Sequence, residues 1–202
     1  MKKIGNIAVI IKNGDIAAEN VECLVVPQFK DCASYAAVGG SIAKKGMRKG
    51  LDIYDEAVSH RPFDYGSVLL TESGKNGIYL AHVATAGAEK DKQFKVIFKA
   101  ILQVLTEADN LGIKTIAVPE LGTGIIGNLT QTQSAKAIFA AVSQFSQLKP
   151  QNTIEEIRLV IYNKPIEPAE KVLSQKTFDF KDEIGEKAFN LTEWLEGMKS
   201  WK

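Results

Sequence analysis

Residues 115–128 read Thr115-Ile-Ala-Val-Pro119-Glu120-Leu-Gly122-Thr-Gly124-Ile-Ile-Gly127-Asn128, and an apolar-periodic segment to Phe145 follows. Ile116, Ala117 and Val118 make a short apolar run that Pro119 stops, which suits a buried parallel strand emptying into a loop. Ligands gather at that end of the strands in α/β sheets. Gly122, Gly124 and Gly127 remove side chains at three places, so the backbone can turn sharply and pass close to a ligand. Beyond them Ala135, Ile138, Phe139, Val142 and Phe145 recur at helical spacing. The order is therefore strand, glycine-rich turn, helix, with the turn expected to open onto a helix N-terminus whose unpaired N–H groups favour an anion.

The spelling Gly122-x-Gly124-x-x-Gly127 also matches the dinucleotide fingerprint, which expects an acidic residue about 20 positions on to hold a ribose hydroxyl. No Asp or Glu lies between Glu120 and Glu155, and the motif stands late in the chain where the fingerprint normally opens its domain. An ordinary nicotinamide site is disfavoured on both grounds. A phosphate-binding turn of another α/β fold, or a merely tight strand-to-helix turn, are the remaining readings.

Outward from this stretch, strands and helices alternate. Ile7 to Ile11 is a β-branched run ended by Asn13-Gly14, which puts Asp15 at a strand end. A carboxylate there either caps the next turn or accepts a hydrogen bond from a ligand's exocyclic amine, and local chemistry favours the cap. Cys23 to Val26 is a second buried strand stopped by Pro27. Gly39-Gly40-Ser41 then leads into a segment whose buried face is Ile42, Met47, Leu51, Tyr54 and Val58, giving a second place where backbone could approach an anion. Residues 67–71 and 78–85 read as strands, and the second carries His82, taken as a hydrogen-bonded core residue with no nearby catalytic partner. Phe94, Ile97, Phe98, Ile101, Leu102, Leu105, Ala108 and Leu111 mark an amphipathic helix closed by Gly112, and Ile157 to Tyr162 is one more strand before Asn163. The pattern predicts a three-layer α/β/α domain with a mixed, largely parallel central sheet.

With 202 residues the chain is expected to form one domain, residues 1–168, and a C-terminal extension, residues 169–202. The extension carries an apolar stripe of Ile184, Ala188, Leu191, Leu195 and Met198 beside Trp194 and Trp201. It is expected to be partly helical and to pack on the domain or on a partner, a second copy of the chain included. Twenty-five basic against 24 acidic residues argue against a broad grip on nucleic acid, and Lys44, Lys45, Arg48 and Lys49 read as solvated charge. Cys23 and Cys32 are too few for a disulfide scaffold or a zinc site, and neither a metal nor a cofactor is expected. The N-terminus reads as a strand and not a signal peptide, no run reaches a membrane span, and a cytoplasmic protein is the expectation.

From about Ile7 to Asn163 these residues resemble a macro domain, the ADP-ribose-binding module. The resemblance rests on Gly14-Asp15-Ile16 after a strand, Gly39-Gly40-Ser41-Ile42 at a helix entry, the strand Ile78 to Val83, and above all Val118-Pro119-Glu120-Leu121-Gly122-Thr123-Gly124-Ile125-Ile126-Gly127. It implies that Asp15 accepts the adenine amino group, with Ile16 beside it. It also implies that the two glycine loops wrap the diphosphate and distal ribose, and that Tyr162 and Asn163 lie against the base.

Three departures bear on chemistry. Hydrolytic macro domains commonly carry Asn-Ala-Ala-Asn after the second strand, where this chain has Val25-Val26-Pro27-Gln28. The first loop lacks the usual longer glycine run and following Asp, reading Ala36-Ala37-Val38-Gly39-Gly40, and Ile126 replaces an aromatic. A mechanism needing that Asn and Asp has neither, and a general base is worth roughly 10²–10⁴-fold. Glu120, Lys30 and Asp31 are the available polar groups, but no spacing identifies a catalyst. The expected function is binding of ADP-ribose, an ADP-ribosylated molecule or a related nucleotide diphosphate without efficient hydrolysis. The alternatives are an ADP-ribosyl hydrolase acting on protein, nucleic-acid or O-acetyl-ADP-ribose substrates through non-standard residues, and an interaction scaffold with a degenerate pocket.

Overall fold

The computed structural model describes residues 2–75, 77–124, 127–175 and 177–178. Strands β1 (Lys2–Ile4), β2 (Ile7–Asn13), β3 (Cys23–Gln28), β4 (Val68–Glu72), β5 (Tyr79–Ala84), β6 (Thr115–Pro119) and β7 (Glu156–Ile161) form one sheet in the order β1-β2-β7-β6-β3-β5-β4. The inner strands β2, β7, β6, β3 and β5 are parallel, and β1 and β4 pair antiparallel at the edges. Every parallel strand therefore delivers its C-terminal loop to the same edge of the sheet. That edge holds Asp15, Gln28, Glu120 and Asn163.

Both faces of the sheet are covered, which is why its central strands are apolar at successive positions. Cys23 and Val25 of β3 join one core with Phe94, Ile97 and Ile101 of α3 (Gln93–Asn110), Ile138 and Phe139 of α4 (Gln131–Leu148), and Ala169 and Val172 of a short helix at Glu167–Leu173. Leu24 and Val26 face the opposite way, against Ile42 and Leu51. The helical stretches supplying those residues are α1 (Ala37–Ile42) and α2 (Arg48–His60), and the short helix after β7 is α5. Leu111 departs from the stripe on α3: it sits past the helix end and is 55% exposed. The 168/169 division drawn from composition lies within α5. The apolar stripe and the tryptophans expected of residues 179–202 lie outside the described residues. No helix among the described residues is long and apolar enough to cross a membrane.

Ile42 and Met47 are five residues apart, out of step with 3.6 residues per turn, yet both are buried. The chain reconciles them with a π-helical turn, Ala43–Met47, between α1 and α2, in which Gly46 takes φ +82°. That turn sets the face α2 presents to the sheet. Tyr54 follows from it, fully buried and stacked on His82 with ring centroids 4.9 Å apart.

Candidate functional site

Asp15 ends the β2 loop and makes two contacts. Its Oδ1 accepts from the Ala17 N–H at 3.0 Å, capping the 3-10 turn Ile16–Ala18, and its Oδ2 accepts from the Ser41 hydroxyl at 2.6 Å. The capping contact is thus made. The Ser41 bond adds something sequence could not show: 26 residues away, the first glycine segment is tied to this carboxylate. Ile16 turns its side chain into the core, leaving its main chain at the edge.

The first glycine pair serves the chain's own packing. A Cβ at Gly39 would stand 1.7 Å from the Ser34 carbonyl oxygen, and one at Gly40 would stand 2.7 Å from that of Tyr35. The loop after β3 folds back over the start of α1, and these glycines make room for it. Gln28 holds that loop. Its side chain is fully buried, its Oε1 accepts from the Ser34 N–H, and its Nε2 lies 3.1 Å from His82 Nδ1. Since Gln28 Nε2 can only donate, Nδ1 accepts and the proton of neutral His82 is on Nε2, where it is donated to Thr71 Oγ1 at 2.8 Å. Burial pushes His82 down to about 3, against a partial offset from the Gly50 carbonyl. The imidazole is thus a neutral structural strut. Sequence read His82 as a core residue but missed its partners, because nothing local in Gln28, Thr71 or Ser34 signals their meeting.

Gly122 takes φ +73° and a Cβ there would meet Ile97 Cδ1 at 2.8 Å; a Cβ on Gly127 would meet the Gly122 carbonyl oxygen at 2.1 Å. Gly124 alone of the three has no atom of the described residues within 4 Å of its Cβ position. The loop is braced from within. Leu121 N–H donates to Ser134 Oγ, Gly127 N–H to the Gly124 carbonyl, Asn128 N–H to Gln93 Oε1 and Leu129 N–H to the Gly122 carbonyl. Leu121 is fully buried, so its side chain serves the core. Ile125 and Ile126 lie outside the described residues.

One expectation about this turn changes. The glycines do not run directly into a helix: α4 begins only at Gln131, and a reciprocal capping box satisfies its entrance, with Thr130 Oγ1 accepting from the Gln133 N–H and Gln133 Oε1 accepting from the Thr130 N–H. The loop's own amides are the free donors. Among the described residues, the N–H groups of Gly122, Thr123 and Gly124 have no partner, nor do those of Ala37, Val38 and Gly39 at the start of α1. The first set follows β6 directly, and the second opens the helix reached by the loop from β3, the strand next to β6.

Backbone strain concentrates at the same edge. Ala37 at φ +45° and Asn163 at φ +51° are the two non-glycine residues with positive φ among the described residues. Such conformations cost on the order of 1 kcal/mol or more and gather at binding sites. Tyr162, just past β7, is 67% exposed, an aromatic face left open between the ends of β2 and β6. Beside it Glu120 Oε2 pairs with Lys164 Nζ at 3.1 Å and accepts from Thr123 Oγ1 at 3.2 Å. Among the described residues no group of three His, Cys, Asp or Glu side chains is placed to hold a metal ion.

The sequence model of the macro domain family matches residues 30–138, more than half of the chain. The chain belongs to the macro domain family. An ADP-ribose glycohydrolase of Archaeoglobus fulgidus is 26% identical over 195 residues, 86% of this macro domain and 95% of that protein. A Thermotoga maritima protein is 29% identical over 156 residues, 74% of this chain, and the chain spans about a quarter (25%) of that protein's length. Among solved structures, the Trypanosoma brucei macrodomain in complex with ADP-ribose superposes with a TM-score of 0.69 at 15% identity, covering 82% of this chain and 69% of that one. At that identity the likeness shows the fold, a macro domain sheet with its helices.

Proposed function

We propose that this macro domain binds ADP-ribose, free or attached to another molecule, or a related nucleotide diphosphate. The observation that carries the reading is a pair of amide sets without partners among the described residues, Gly122 to Gly124 just after β6 and Ala37 to Gly39 at the start of α1, the helix that follows the adjacent strand β3. Main-chain donors of this kind hold phosphate oxygens without a charged side chain. Asp15, with Oδ2 already ordered by Ser41, accepts the exocyclic amine of the base, and the Ile16 main chain completes that end. Tyr162 and Asn163 lie against the base. Gly39, Gly40 and Ser41 shape the first phosphate loop, and the run from Leu121 to Gly127 forms the second.

Calorimetric titration with ADP-ribose tests the reading. Saturable heat is expected, with affinity falling more than tenfold in Asp15→Ala. No heat at millimolar ligand, or an affinity unaffected by that substitution, refutes it.

A second reading, hydrolysis of an ADP-ribosyl bond, is favoured by the glycohydrolase relative. Where hydrolytic macro domains commonly place an Asn, this chain has Gln28, whose polar atoms are consumed by Ser34 and His82. Binding without efficient turnover is therefore the better-supported function. Release of ADP-ribose from modified protein at a rate well above buffer would reverse that order.

A further inference from the structure

Glu120 carries a feature that base and phosphate binding leave unused. Its side chain is only 8% exposed, and its Oε1 is the one buried side-chain polar atom among the described residues with no hydrogen-bond partner. A buried carboxylate oxygen left unsatisfied is costly and rare in native proteins, so the orphan calls for a donor that arrives from outside. The carboxylate is also held in place: Lys164 and Thr123 both engage Oε2, leaving Oε1 as the free acceptor.

Its position in the sheet says which donor. Pro119 is level with Val160, and Asn13 with Ile161, so Glu120 stands at the height of Ile161 and Asn13, one strand to the far side of β7 from β2. Two strand spacings separate β2 from β6, about 10 Å. If Asp15 beyond β2 takes the base and the amides after β6 take the phosphates, the sugar joining them passes the end of β7 beside Glu120. That sugar offers vicinal hydroxyls, which are donors, and an ionised carboxylate only accepts.

We propose that Glu120 Oε1 accepts a hydrogen bond from the adenosine ribose diol and makes the site selective for an unmodified ribose over its deoxy and 2′-phosphorylated counterparts. The inference rests on the nucleotide-binding reading above. It also accounts for the missing acidic residue after the glycines: in dinucleotide-binding sheets a carboxylate about 20 residues downstream holds the ribose hydroxyl, and here the carboxylate precedes the glycine turn. A 2′-phosphate would bring a second anion against it and is rejected.

The test is calorimetry on the full chain with four ligands: ADP-ribose, its analogues lacking the adenosine 2′- or 3′-hydroxyl, and its 2′-phosphorylated form. Wild-type protein is expected to bind at least one deoxy analogue and the 2′-phosphate about 10- to 100-fold more weakly than ADP-ribose, the range for a hydrogen bond to a charged group. In Glu120→Gln the amide oxygen stays with the donors Lys164 and Thr123 and the NH2 group takes the place of Oε1, so the affinity for ADP-ribose falls about tenfold and the deoxy penalty shrinks below threefold, because the lost acceptor cannot be lost twice. Wild-type binding that is equal for all four ligands overturns the proposal without needing a variant to fold. So does an equal loss for every ligand in Glu120→Gln, the mark of a purely structural role. In either case ADP-ribose still binds and only the role of Glu120 is withdrawn; no binding of ADP-ribose by the wild type removes this proposal and the proposed function together.

Discussion

Gly124→Ala separates the needs of the fold from those of a ligand more cleanly than any other change in this protein. Among the described residues the Cβ it adds meets nothing within 4 Å, and Gly124 does not use the left-handed backbone region that disfavours a side chain. The folded state should accept the methyl group, and the reduced freedom of the unfolded chain should stabilise by about 0.4–1 kcal/mol. For a domain of this size that is a rise of a few degrees in Tm, at about 2–4 °C per kcal/mol. A phosphate seated on the amides of residues 122–124 would instead meet the new methyl. Overpacking a close contact costs about 1–3 kcal/mol, or roughly 5- to 150-fold in affinity. Thermal unfolding and calorimetry with ADP-ribose on the same sample measure both quantities. Gly127→Ala is the opposing control: its Cβ would lie 2.1 Å from the Gly122 carbonyl oxygen, so stability itself should drop by several kcal/mol. If Gly124→Ala lowers Tm by more than a few degrees, the loop is not open as described. If it leaves affinity unchanged, the ligand does not approach this backbone, and the phosphate role of the second loop fails.

Three further outcomes follow from individual contacts. Asp15→Asn keeps an acceptor for the Ala17 N–H, so its Tm should stay close to wild type while ADP-ribose affinity falls more than tenfold; Asp15→Ala should lose affinity and also about 1–2 kcal/mol of stability measured in urea. Gln28→Ala strands the buried His82 Nδ1 and the part-buried Ser34 N–H and should cost about 2–4 kcal/mol, at roughly 1–3 kcal/mol for the buried group and about 1 kcal/mol for the other; a loss under about 1 kcal/mol would show that the loop after β3 is not held by this side chain. His82 stays neutral in the fold because burial lowers it to about 3, whereas in the unfolded chain it takes a proton below its ordinary value of 6.5. Protonation therefore favours unfolding: this contribution is fully present above about pH 6.5 and erodes by up to about 1.4 kcal/mol per pH unit as pH falls toward 3. Urea midpoints at about pH 7.5, 6 and 5 should drop more steeply for wild type than for His82→Gln, and parallel curves would refute the buried neutral imidazole.

The architecture was readable because it depends on periodicities that act locally. Ile97, Ile101 and Leu105 recur at the helical period, and Cys23 to Val26 are apolar at consecutive positions, so each segment's conformation and burial follow from its own residues. The glycine turn after β6 was readable for the same reason. The helix after it starts later than expected, because the capping box at Thr130 and Gln133 decides where α4 begins, and Leu111 escapes its stripe because the chain leaves the helix first. The spacing of Ile42 and Met47 carried a signal for the π turn that a 3.6-residue template passes over.

The site shows the limit most clearly. Asp15 and Ser41 are 26 residues apart, Gln28 and His82 are 54 apart, and Glu120 and Lys164 are 44 apart. Asp15–Ser41 and Glu120–Lys164 meet because parallel strands bring distant segments to one edge, and Gln28–His82 meet across the neighbouring strands β3 and β5. Sequence alone determined the layered α/β fold and the family likeness, and it located the side-chain-poor bends, since strand, turn and helix preferences are written in neighbouring residues. Tertiary structure alone decided which glycines face the chain's own carbonyls and which face open space, and which carboxylate oxygen is left without a donor. Those are properties of the distances between segments, which no local pattern of residues encodes.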